Sequence, residues 1–311
     1  MKKILLIIIY ICILTLIVPF IVVRICINNN EKEKYINVYV KAEEKVRKME
    51  VSQYLKEVVS AEMPAEFEFE ALKAQAVAAR TYLERKKMSS ENDEEHNGAV
   101  ICTDSTHCKA WISEEERRKM WNSEKNDEYW NKISRAVDET EGEILMYKDE
   151  IVNAVFHSTS SGKTENSADV WGSDVPYLKS VESEGDLFSP KYKSEFSCSE
   201  EEFKKKIIEK VENVVPEAEL ISDIIRSEAG GIISMKVLGV DMKGTEFRNI
   251  FGLNSTNIQF QVENGFVHMS ILGYGHGVGM SQYGADYMAS QGYNYKDILI
   301  KYYQGAEISK K

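Results

Sequence analysis

An alanine-rich stretch, residues 67–87, places the strongest constraint on how this chain folds. Its small side chains are spread nearly all round a helix, and they are Ala71, Ala74, Ala76, Ala78 and Ala79. A helix that is small and apolar on most of its faces is packed closely by neighbouring elements. We therefore expect a buried central helix here, with the other elements of the soluble part arranged around it.

The preceding segment, residues 51–62, predicts a second helix with an unusual last position. One helical stripe, at intervals of three and four residues, contains Val51, Leu55, Val58, Val59 and Glu62. Lys56 and Glu57 fall on the polar side of this helix. Because Pro64 disfavours helical backbone at the residue before it, the helix should end near Glu62.

Glu62 is therefore expected to be a partly buried carboxylate at the C-terminal end of a helix. Desolvation and the negative end of the helix dipole both favour its protonated form. A carboxylic acid that stays neutral near pH 7 can serve as a general acid. This stretch alone leaves an alternative open, in which Glu62 lies at a frayed helix end and contacts solvent or a lysine.

The length and charge of the chain limit its domain number and its partners. The 311 residues allow one or two domains with a sizeable core. The formal net charge of −11 argues against nucleic acid as a partner, but it is compatible with a carbohydrate or a protein.

The N-terminus predicts a membrane anchor. The run from Ile4 to Val23 has twenty residues without a charge, enough for a bilayer-spanning helix, and no A-x-A cleavage site follows it. Lys2 and Lys3 favour a cytoplasmic N-terminus. We expect a transmembrane signal anchor over residues 1–27, a polar tether over 28–35 and one extracytoplasmic domain over 36–311, which makes the chain a single-pass membrane protein.

The remaining segments mix strand and helix patterns without regular βαβ alternation, which predicts an α+β fold of helices and antiparallel hairpins. Hairpin turns are expected at Lys148-Asp149, near Gly230-Gly231 and at Asn264-Gly265. Helices are expected over residues 200–212 with Ser199 as cap, in TEFRNIFGL with Thr245 as cap, from about Ser281, and at YKDILIKYY.

The segment HNGAVICTDSTHC contains His96, Cys102, His107 and Cys108. Two imidazoles and two sulfurs within thirteen residues match the ligand set of a tetrahedral zinc site. Four protein ligands would make the site closed and structural. A Cys102–Cys108 disulfide, plausible outside the cytoplasm, is the alternative, and Cys198 has no evident role.

Two further motifs carry polar side chains in glycine-rich or hydroxyl-rich loops. FHSTSSGKTENSADVWG supplies His157, Ser160, Glu165 and Trp171, and it lacks a G-x-S-x-G nucleophile elbow. GYGHGVGMSQYGA supplies His276, Gln282 and Tyr283, and it matches no phosphate-binding pattern. Taken singly, each motif also has a purely structural explanation. The first can be an ordinary capped loop, and the second a glycine-rich turn entering a helix, with His276 as a packing residue.

Together, EMPAEFEFEALKAQAVAARTY, CTDSTHC, FHSTSSGKTENSADVWG and GHGVGMSQYGA resemble, in this order, the stage II sporulation protein D (SpoIID) family, whose domain also occurs in amidase-enhancer proteins. The resemblance covers roughly residues 36–305. It implies a lytic transglycosylase that cuts denuded peptidoglycan glycan strands between N-acetylmuramic acid and N-acetylglucosamine and leaves 1,6-anhydromuramyl ends.

The resemblance also implies a setting and partners. Family members act while the mother cell engulfs the forespore, in its membrane and facing the intermembrane space, together with the amidase SpoIIP and the membrane protein SpoIIM. The catalytic acid of the family is the glutamate of the E-M-P motif, which is Glu62 here. Some members bind zinc through a His/Cys loop, which His96, Cys102, His107 and Cys108 match.

The chemistry that the resemblance implies needs only one carboxyl group, because Glu62 can protonate the glycosidic oxygen and then take the proton of the muramyl C6 hydroxyl. Substrate-binding roles are expected for Arg80 on the central helix and for polar residues of the last two motifs, which are His157, Ser160, Glu165, His276, Gln282 and Tyr283. Two alternatives remain: a non-catalytic amidase enhancer that binds a partner, and a zinc-dependent cell-wall hydrolase.

Overall fold

The computed structural model describes Val18 and residues 34–89, 96–121 and 124–311. The described residues form an α+β protein, as predicted, with helices and mostly antiparallel sheets. The chain divides into two compact units. Unit 1 comprises residues 1–62 and 86–120, and unit 2 comprises residues 63–85 and 121–311.

In unit 1, a small sheet supports one long helix. The strands are β1 (Tyr35–Val40), β2 (Lys45–Glu50) and β3 (Ile101–Cys102). β1 and β2 form an antiparallel hairpin, and β3 pairs with β1 in parallel. Helix α1 (Val51–Glu62) follows β2 directly and covers the predicted residues. Its last residue is Glu62, as the position of Pro64 predicted.

One prediction about α1 was wrong. Glu57, expected on the polar face, is only 7% exposed. The Trp111 indole and the backbone N–H of Glu114 donate hydrogen bonds to its carboxylate over 2.8 and 3.1 Å. A carboxylate can be buried when such donors replace its water, and periodicity cannot foresee donors that come from elsewhere in the chain.

The alanine-rich helix α2 (Phe69–Ser89) is buried as predicted. Ala71, Ala74, Ala76 and Ala78 are fully inaccessible to solvent. The helix starts two residues later than expected because a turn follows Pro64, whose carbonyl accepts a hydrogen bond from Phe67. Helix α3 (Glu114–Met120) completes the helices described in unit 1.

The remaining elements belong to unit 2. Its helices are α4 (Asn126–Glu139), α5 (Ser167–Trp171), α6 (Glu200–Ile208), α7 (Gly244–Phe251), α8 (Gln282–Ser290) and α9 (Tyr295–Tyr302). Its strands are β4 (Glu143–Tyr147), β5 (Glu150–Ile151), β6 (Phe156–His157), β7 (Lys193–Ser199), β8 (Ile221–Arg226), β9 (Ile232–Val237), β10 (Val240–Lys243), β11 (Asn257–Glu263), β12 (Phe266–Leu272), β13 (Met280–Ser281) and β14 (Glu307–Lys310).

The strands described in unit 2 form four small sheets, in the orders β10-β9-β8, β11-β12-β7, β14-β4-β5 and β13-β6. The first two sheets share an apolar core with α6 and α7 that contains Phe203, Phe247 and Phe251. Cys198 belongs to this core and is 8% exposed, so its role is packing. The short pair β6-β13 is parallel, and it joins two of the sequence motifs.

The three predicted hairpins are confirmed. Asn264 and Gly265 both have positive φ, 51° and 78°, as a two-residue hairpin turn requires. Lys148 and Asp149 adopt the same left-handed backbone without a glycine, with φ of 49° and 64°. The turn between β8 and β9 contains Gly230, whose φ is 94°.

The helix caps were predicted with mixed success. Ser199 caps α6 in a capping box with Glu202, as expected, although α6 ends at Ile208 rather than near residue 212. Helix α8 begins at Gln282, close to the expected start, and the side chain of Ser281 caps it. The cap predicted at Thr245 was wrong, because α7 already begins at Gly244. A Cβ at Gly244 would lie 1.9 Å from the carbonyl oxygen of Ile232, so the first position of α7 has room only for glycine.

The predicted localisation requires a correction. In the part of the chain that the structure describes, no helix is both long and apolar enough to cross a bilayer. The expected span over residues 4–23, and the anchor and tether predicted for residues 1–35, lie almost wholly outside the described residues. The single-pass membrane location is therefore withdrawn.

Candidate functional site

Glu62 is a half-buried carboxylic acid held at one oxygen. The backbone N–H of Ala110 donates a hydrogen bond of 2.8 Å to its Oε1. Burial raises the pKa of Glu62, and the charge of Lys109 and the Ala110 hydrogen bond oppose that shift. The direction and the main cause agree with the expectation from the sequence. A raised pKa is one property that a general acid requires.

Glu57 lies on the same helix and has a different environment. Its carboxylate accepts hydrogen bonds from Gln53, Trp111 and the backbone of Glu114, whereas Glu62 has a single hydrogen-bond donor among the described residues. Burial raises the pKa of Glu57 as well. Because its oxygens are occupied by protein donors, Glu57 ties α1 to the start of α3 and has little capacity left for a substrate.

Two residues that follow the His/Cys segment, Lys109 and Ala110, interact with Glu62. Lys109 and Ala110 directly follow Cys108 in the chain. Burial lowers the pKa of Lys109 to about 8, and the charge of Glu62 opposes this shift. Sequence reasoning missed both residues, since Lys109 belongs to no motif and Ala110 acts through its backbone. Any interaction that holds residues 108–110 in place therefore also positions the Ala110 N–H that binds Glu62.

The four predicted metal ligands converge on one point. The ligand atoms of His96, Cys102, His107 and Cys108 all lie within 4.8 Å of one another. The separations are 2.9 Å from His96 Nε2 to His107 Nδ1, 3.3 Å from His96 Nε2 to Cys108 Sγ, and 3.6 and 3.7 Å from His107 Nδ1 to the sulfurs of Cys102 and Cys108.

This cluster fits a tetrahedral zinc ion. Zn–N bonds of about 2.0–2.1 Å and Zn–S bonds of about 2.3 Å place ligand atoms roughly 3.3–3.8 Å apart at the corners of a tetrahedron. Three of the four measured separations fall in that range, and the His–His separation is slightly shorter. Cys102 and Cys108 are free thiols rather than a disulfide. The cluster can therefore hold a metal ion with the ligand set that the sequence indicated.

In unit 2, the hydroxyl-rich loop is organised by a carboxylate that the sequence gave no reason to select. Asp186 is completely buried. It accepts hydrogen bonds from the hydroxyl groups of Ser160 and Ser281, and from the backbone N–H of Ser160 over 3.0 Å. Its charge also acts on His157, whose pKa is lowered mainly by burial. Asp186 thereby joins the third motif to the fourth.

His276 lies in a row of three rings. Its ring centroid is 5.6 Å from that of His157 and 5.2 Å from that of Trp171, which is 45% exposed. Nε2 of His276 lies 3.1 Å from the carbonyl of Phe156, and Nδ1 lies 3.1 Å from the backbone N–H of Val278. Because Nδ1 accepts from Val278, Nε2 is the nitrogen that can donate to the carbonyl of Phe156. The row of rings runs from the buried His157 to the exposed Trp171.

Three other predicted residues have partners inside unit 2. Glu165 is buried, and its Oε1 accepts a hydrogen bond of 3.1 Å from the backbone of Gly231. Gln282 is buried and lies 3.4 Å from the side chain of Gln75. The ring of Tyr283 packs edge-on against Phe67 at 4.9 Å and stays half-buried. These contacts connect the segment after Glu62 to the fourth motif.

Arg80 binds the end of a helix. It is 6% exposed, and its guanidinium donates hydrogen bonds to the carbonyls of Thr140 and Val137 over 2.7 and 2.9 Å. Carbonyls at the C-terminus of α4 lack intrahelical partners, so a cation there completes their hydrogen bonding. The substrate-binding role stays a prediction, and the observed contacts favour a structural one.

Replacing Asp186 with alanine should reduce the free energy of unfolding by about 3 kcal/mol, because buried hydroxyl and amide donors would lose their charged acceptor. Urea denaturation followed by circular dichroism measures this difference. Asp174→Ala is the matched control, since Asp174 forms an exposed ion pair with Lys179, and its loss should change stability by less than about 0.5 kcal/mol. Equal stability of the two variants would show that Asp186 does not organise the loop.

The chain is similar to sporulation proteins over most of its length. The family model described as Stage II sporulation protein matches residues 39–147. Stage II sporulation protein D of Bacillus subtilis (strain 168) is 38% identical over 276 residues, which cover 88% of this chain and 79% of that protein. The Bacillus amyloliquefaciens protein of the same name is 37% identical, covering 88% and 78%. A Bacillus subtilis protein named Amidase enhancer is 28% identical over 306 residues, covering 82% of this chain and 40% of that protein.

Proposed function

Because the chain belongs to the stage II sporulation protein D family, we propose that it is a lytic transglycosylase that cuts denuded peptidoglycan glycan strands during sporulation. The observation that carries this proposal is the state of Glu62. Its carboxyl group has a raised pKa and a single backbone donor, and it stands at the family's E-M-P position. A cell-wall glycan fits these properties, since its glycosidic bond needs a proton before it breaks.

The proposed reaction uses Glu62 twice. Its carboxyl proton goes to the oxygen between muramyl C1 and the leaving sugar, and the C1–O bond breaks. The muramyl C6 hydroxyl then bonds to C1 while the Glu62 carboxylate takes its proton. The products are a 1,6-anhydromuramyl end and a sugar with a new hydroxyl group, and Glu62 is again protonated. No water is consumed, so a second catalytic carboxylate is unnecessary.

Lys109 and Ala110 would support both halves of this cycle. After the first step Glu62 is an anion, and the adjacent N–H group and positive charge stabilise that form. The same hydrogen bond holds Oε1 toward Ala110, which leaves the other oxygen for the substrate. Pro64 ends α1 at this residue, so the carboxyl group projects from a helix terminus.

A zinc ion held by His96, Cys102, His107 and Cys108 would supply structural cross-linking rather than chemistry, because four protein ligands leave no open coordination position. Its proposed task is to fix the segment that carries Lys109 and Ala110.

The residues with proposed glycan-binding roles form two groups, one buried and one accessible to solvent. Ser160, Glu165 and Gln282 are buried and bonded within unit 2, so they would shape the loops that meet the sugar. His276 and Tyr283 are half-buried. Together with the exposed ring of Trp171, they offer aromatic surface on which a sugar can stack.

A second function is favoured by the similarity to a protein named Amidase enhancer. In this alternative, the chain binds a peptidoglycan amidase such as SpoIIP and increases its activity without cutting glycan. A working partnership with the amidase, and with the membrane protein SpoIIM, is also compatible with the transglycosylase proposal, because an amidase produces the denuded strands.

Mass spectrometry of denuded peptidoglycan incubated with the purified chain alone tests these functions. We expect soluble fragments that end in 1,6-anhydromuramic acid. Fragments with reducing ends would indicate hydrolysis instead. If no fragment forms without an amidase, and if Glu62→Gln stimulates the amidase as well as the parent chain does, the enhancer function replaces the transglycosylase.

A further inference from the structure

Arg248, in unit 2, has a guanidinium group of which only Nε donates a hydrogen bond to another described residue. It lies on α7 and is half-buried, and its Nε donates a hydrogen bond of 3.1 Å to the carbonyl of Leu253. Within the described parts of the chain, its two terminal nitrogens have no protein acceptor. Arg226, by contrast, uses both terminal nitrogens on backbone carbonyls. The two terminal nitrogens of a guanidinium form a fork of parallel N–H donors, and a partly desolvated fork without an acceptor is suited to binding an anion.

A second cation, Lys191, interacts with an aromatic residue that Arg248 also affects, Tyr274. Nζ of Lys191 is 5.1 Å from the ring centroid of Tyr274, which is 41% exposed, and Tyr274 also interacts electrostatically with Arg248. Among the described residues, no ion pair with a carboxylate is found for Lys191, which lies over the Tyr274 ring, or for Arg248, whose Nε binds the carbonyl of Leu253. Both cations therefore interact with the same half-exposed aromatic residue, Tyr274, in a chain that has 50 acidic and 39 basic residues.

These residues adjoin two of the sequence motifs. The carbonyl of Asn254, shortly after α7, accepts a hydrogen bond of 2.9 Å from the backbone of Gly275. Tyr274 pairs with Thr159 through two backbone hydrogen bonds of 2.7 and 3.1 Å. The charge of Arg248 also acts on His157. The cations therefore lie beside the loops to which the proposed function assigns glycan binding.

We propose that Arg248 and Lys191, beside Tyr274, bind the lactyl carboxylate that a muramyl residue carries once its stem peptide has been removed. This inference rests on the proposed function. In a strand that keeps its stem peptides, the same carbonyl is part of an amide and has no charge. A guanidinium fork distinguishes a carboxylate from an amide, because only the carboxylate can accept two charge-assisted hydrogen bonds. Arg248 thus acts as a specificity determinant for denuded strands.

Binding of two matched glycans tests this inference. One is a denuded muramyl-glucosaminyl oligosaccharide, and the other is the same molecule with each lactyl carboxylate converted to a neutral methylamide. Calorimetry with the full chain carrying Glu62→Gln measures affinity without turnover. We expect the carboxylate form to bind at least about tenfold more tightly, as charge-assisted hydrogen bonds allow. Adding Arg248→Gln should remove most of that preference, and adding Lys191→Gln should reduce it about twofold to threefold.

Two further variants separate recognition from folding. Arg248→Lys keeps the charge and loses the fork, so it should retain only part of the preference. Lys236→Gln removes a cation that is paired with Asp223 on the surface of the same unit, and its preference should equal that of the parent. Circular dichroism checks the fold of each variant. Because Lys191 is exposed, its substitution remains informative even if Arg248→Gln does not fold.

Equal binding of the two glycans by the parent chain would overturn the inference, as would a full preference retained by both Arg248→Gln and Lys191→Gln. Neither result affects the product analysis of the chain with intact Glu62. Conversely, the chain could prefer the carboxylate glycan and yet release no anhydromuramyl product. That result would support the binding site and contradict the proposed transglycosylase activity.

Discussion

Glu62→Gln is expected to lower the rate of anhydromuramyl product formation by about 10²- to 10⁴-fold, the usual contribution of a positioned general acid–base. Glutamine has nearly the same shape, and its carbonyl oxygen can still accept the hydrogen bond from Ala110. It cannot release a proton to the glycosidic oxygen. Mass spectrometry of the products released from denuded glycan over time measures this factor. An undiminished rate in Glu62→Gln would show that Glu62 is not the catalytic acid.

The pH dependence provides a second measure of the same group. Burial raises the pKa of Glu62, so the protonated acid persists to higher pH than for an exposed glutamate. The rate should therefore be high below this raised pKa and should fall as the pH rises through it. The residual rate of Glu62→Gln should lack this decline, because the amide does not titrate in that range.

Glu57→Gln is the matched control, since it alters another buried carboxylate on the same helix. Glutamine cannot accept the three N–H donors as well as a carboxylate does, so this variant should be less stable by about 1–3 kcal/mol. Its rate per folded molecule should stay within a few-fold of the parent rate and keep the same pH dependence. If Glu57→Gln loses as much activity as Glu62→Gln, the loss reflects packing around α1 rather than proton transfer.

The local features of this fold were predictable because short-range physics determines them. Pro64 ends α1 at Glu62, and the left-handed backbone of Asn264 and Gly265 makes a hairpin turn. Alanine on nearly every face of α2 requires close packing, whatever elements supply it. In each case the residues that form the feature are adjacent in the chain.

The features that could not be predicted depend on distant partners. Glu57 is buried because Trp111 reaches it, and the hydroxyl-rich loop is ordered by Asp186, which lies outside every motif. The apolar stripe and the position before Pro64 singled out Glu62, whereas the Ala110 N–H that holds it is a backbone group that no side-chain pattern reveals. Propensity and periodicity describe segments, so contacts between segments require the structure.

Cys108→Ser is expected to abolish stoichiometric zinc binding, because serine replaces a thiolate ligand with a weakly coordinating hydroxyl. The parent chain, purified without chelator, should contain about one zinc ion per molecule by elemental analysis. Since metal binding contributes directly to folding, the loop that contains His96 and His107 should lose order in the variant. Proteolysis within residues 96–110 should therefore be faster than in the parent.

Cys198→Ser is the control for loss of a thiol, since Cys198 packs in the core of unit 2 and should leave zinc content unchanged. The metal variant should also release product more slowly, because the segment that fixes Glu62 begins directly after Cys108. If the parent chain contains no zinc and Cys102 is disulfide-bonded to Cys108, the metal site is contradicted and the disulfide alternative is correct. If folded protein still releases product after complete metal removal, even at a reduced rate, the alternative of a zinc-dependent hydrolase is excluded.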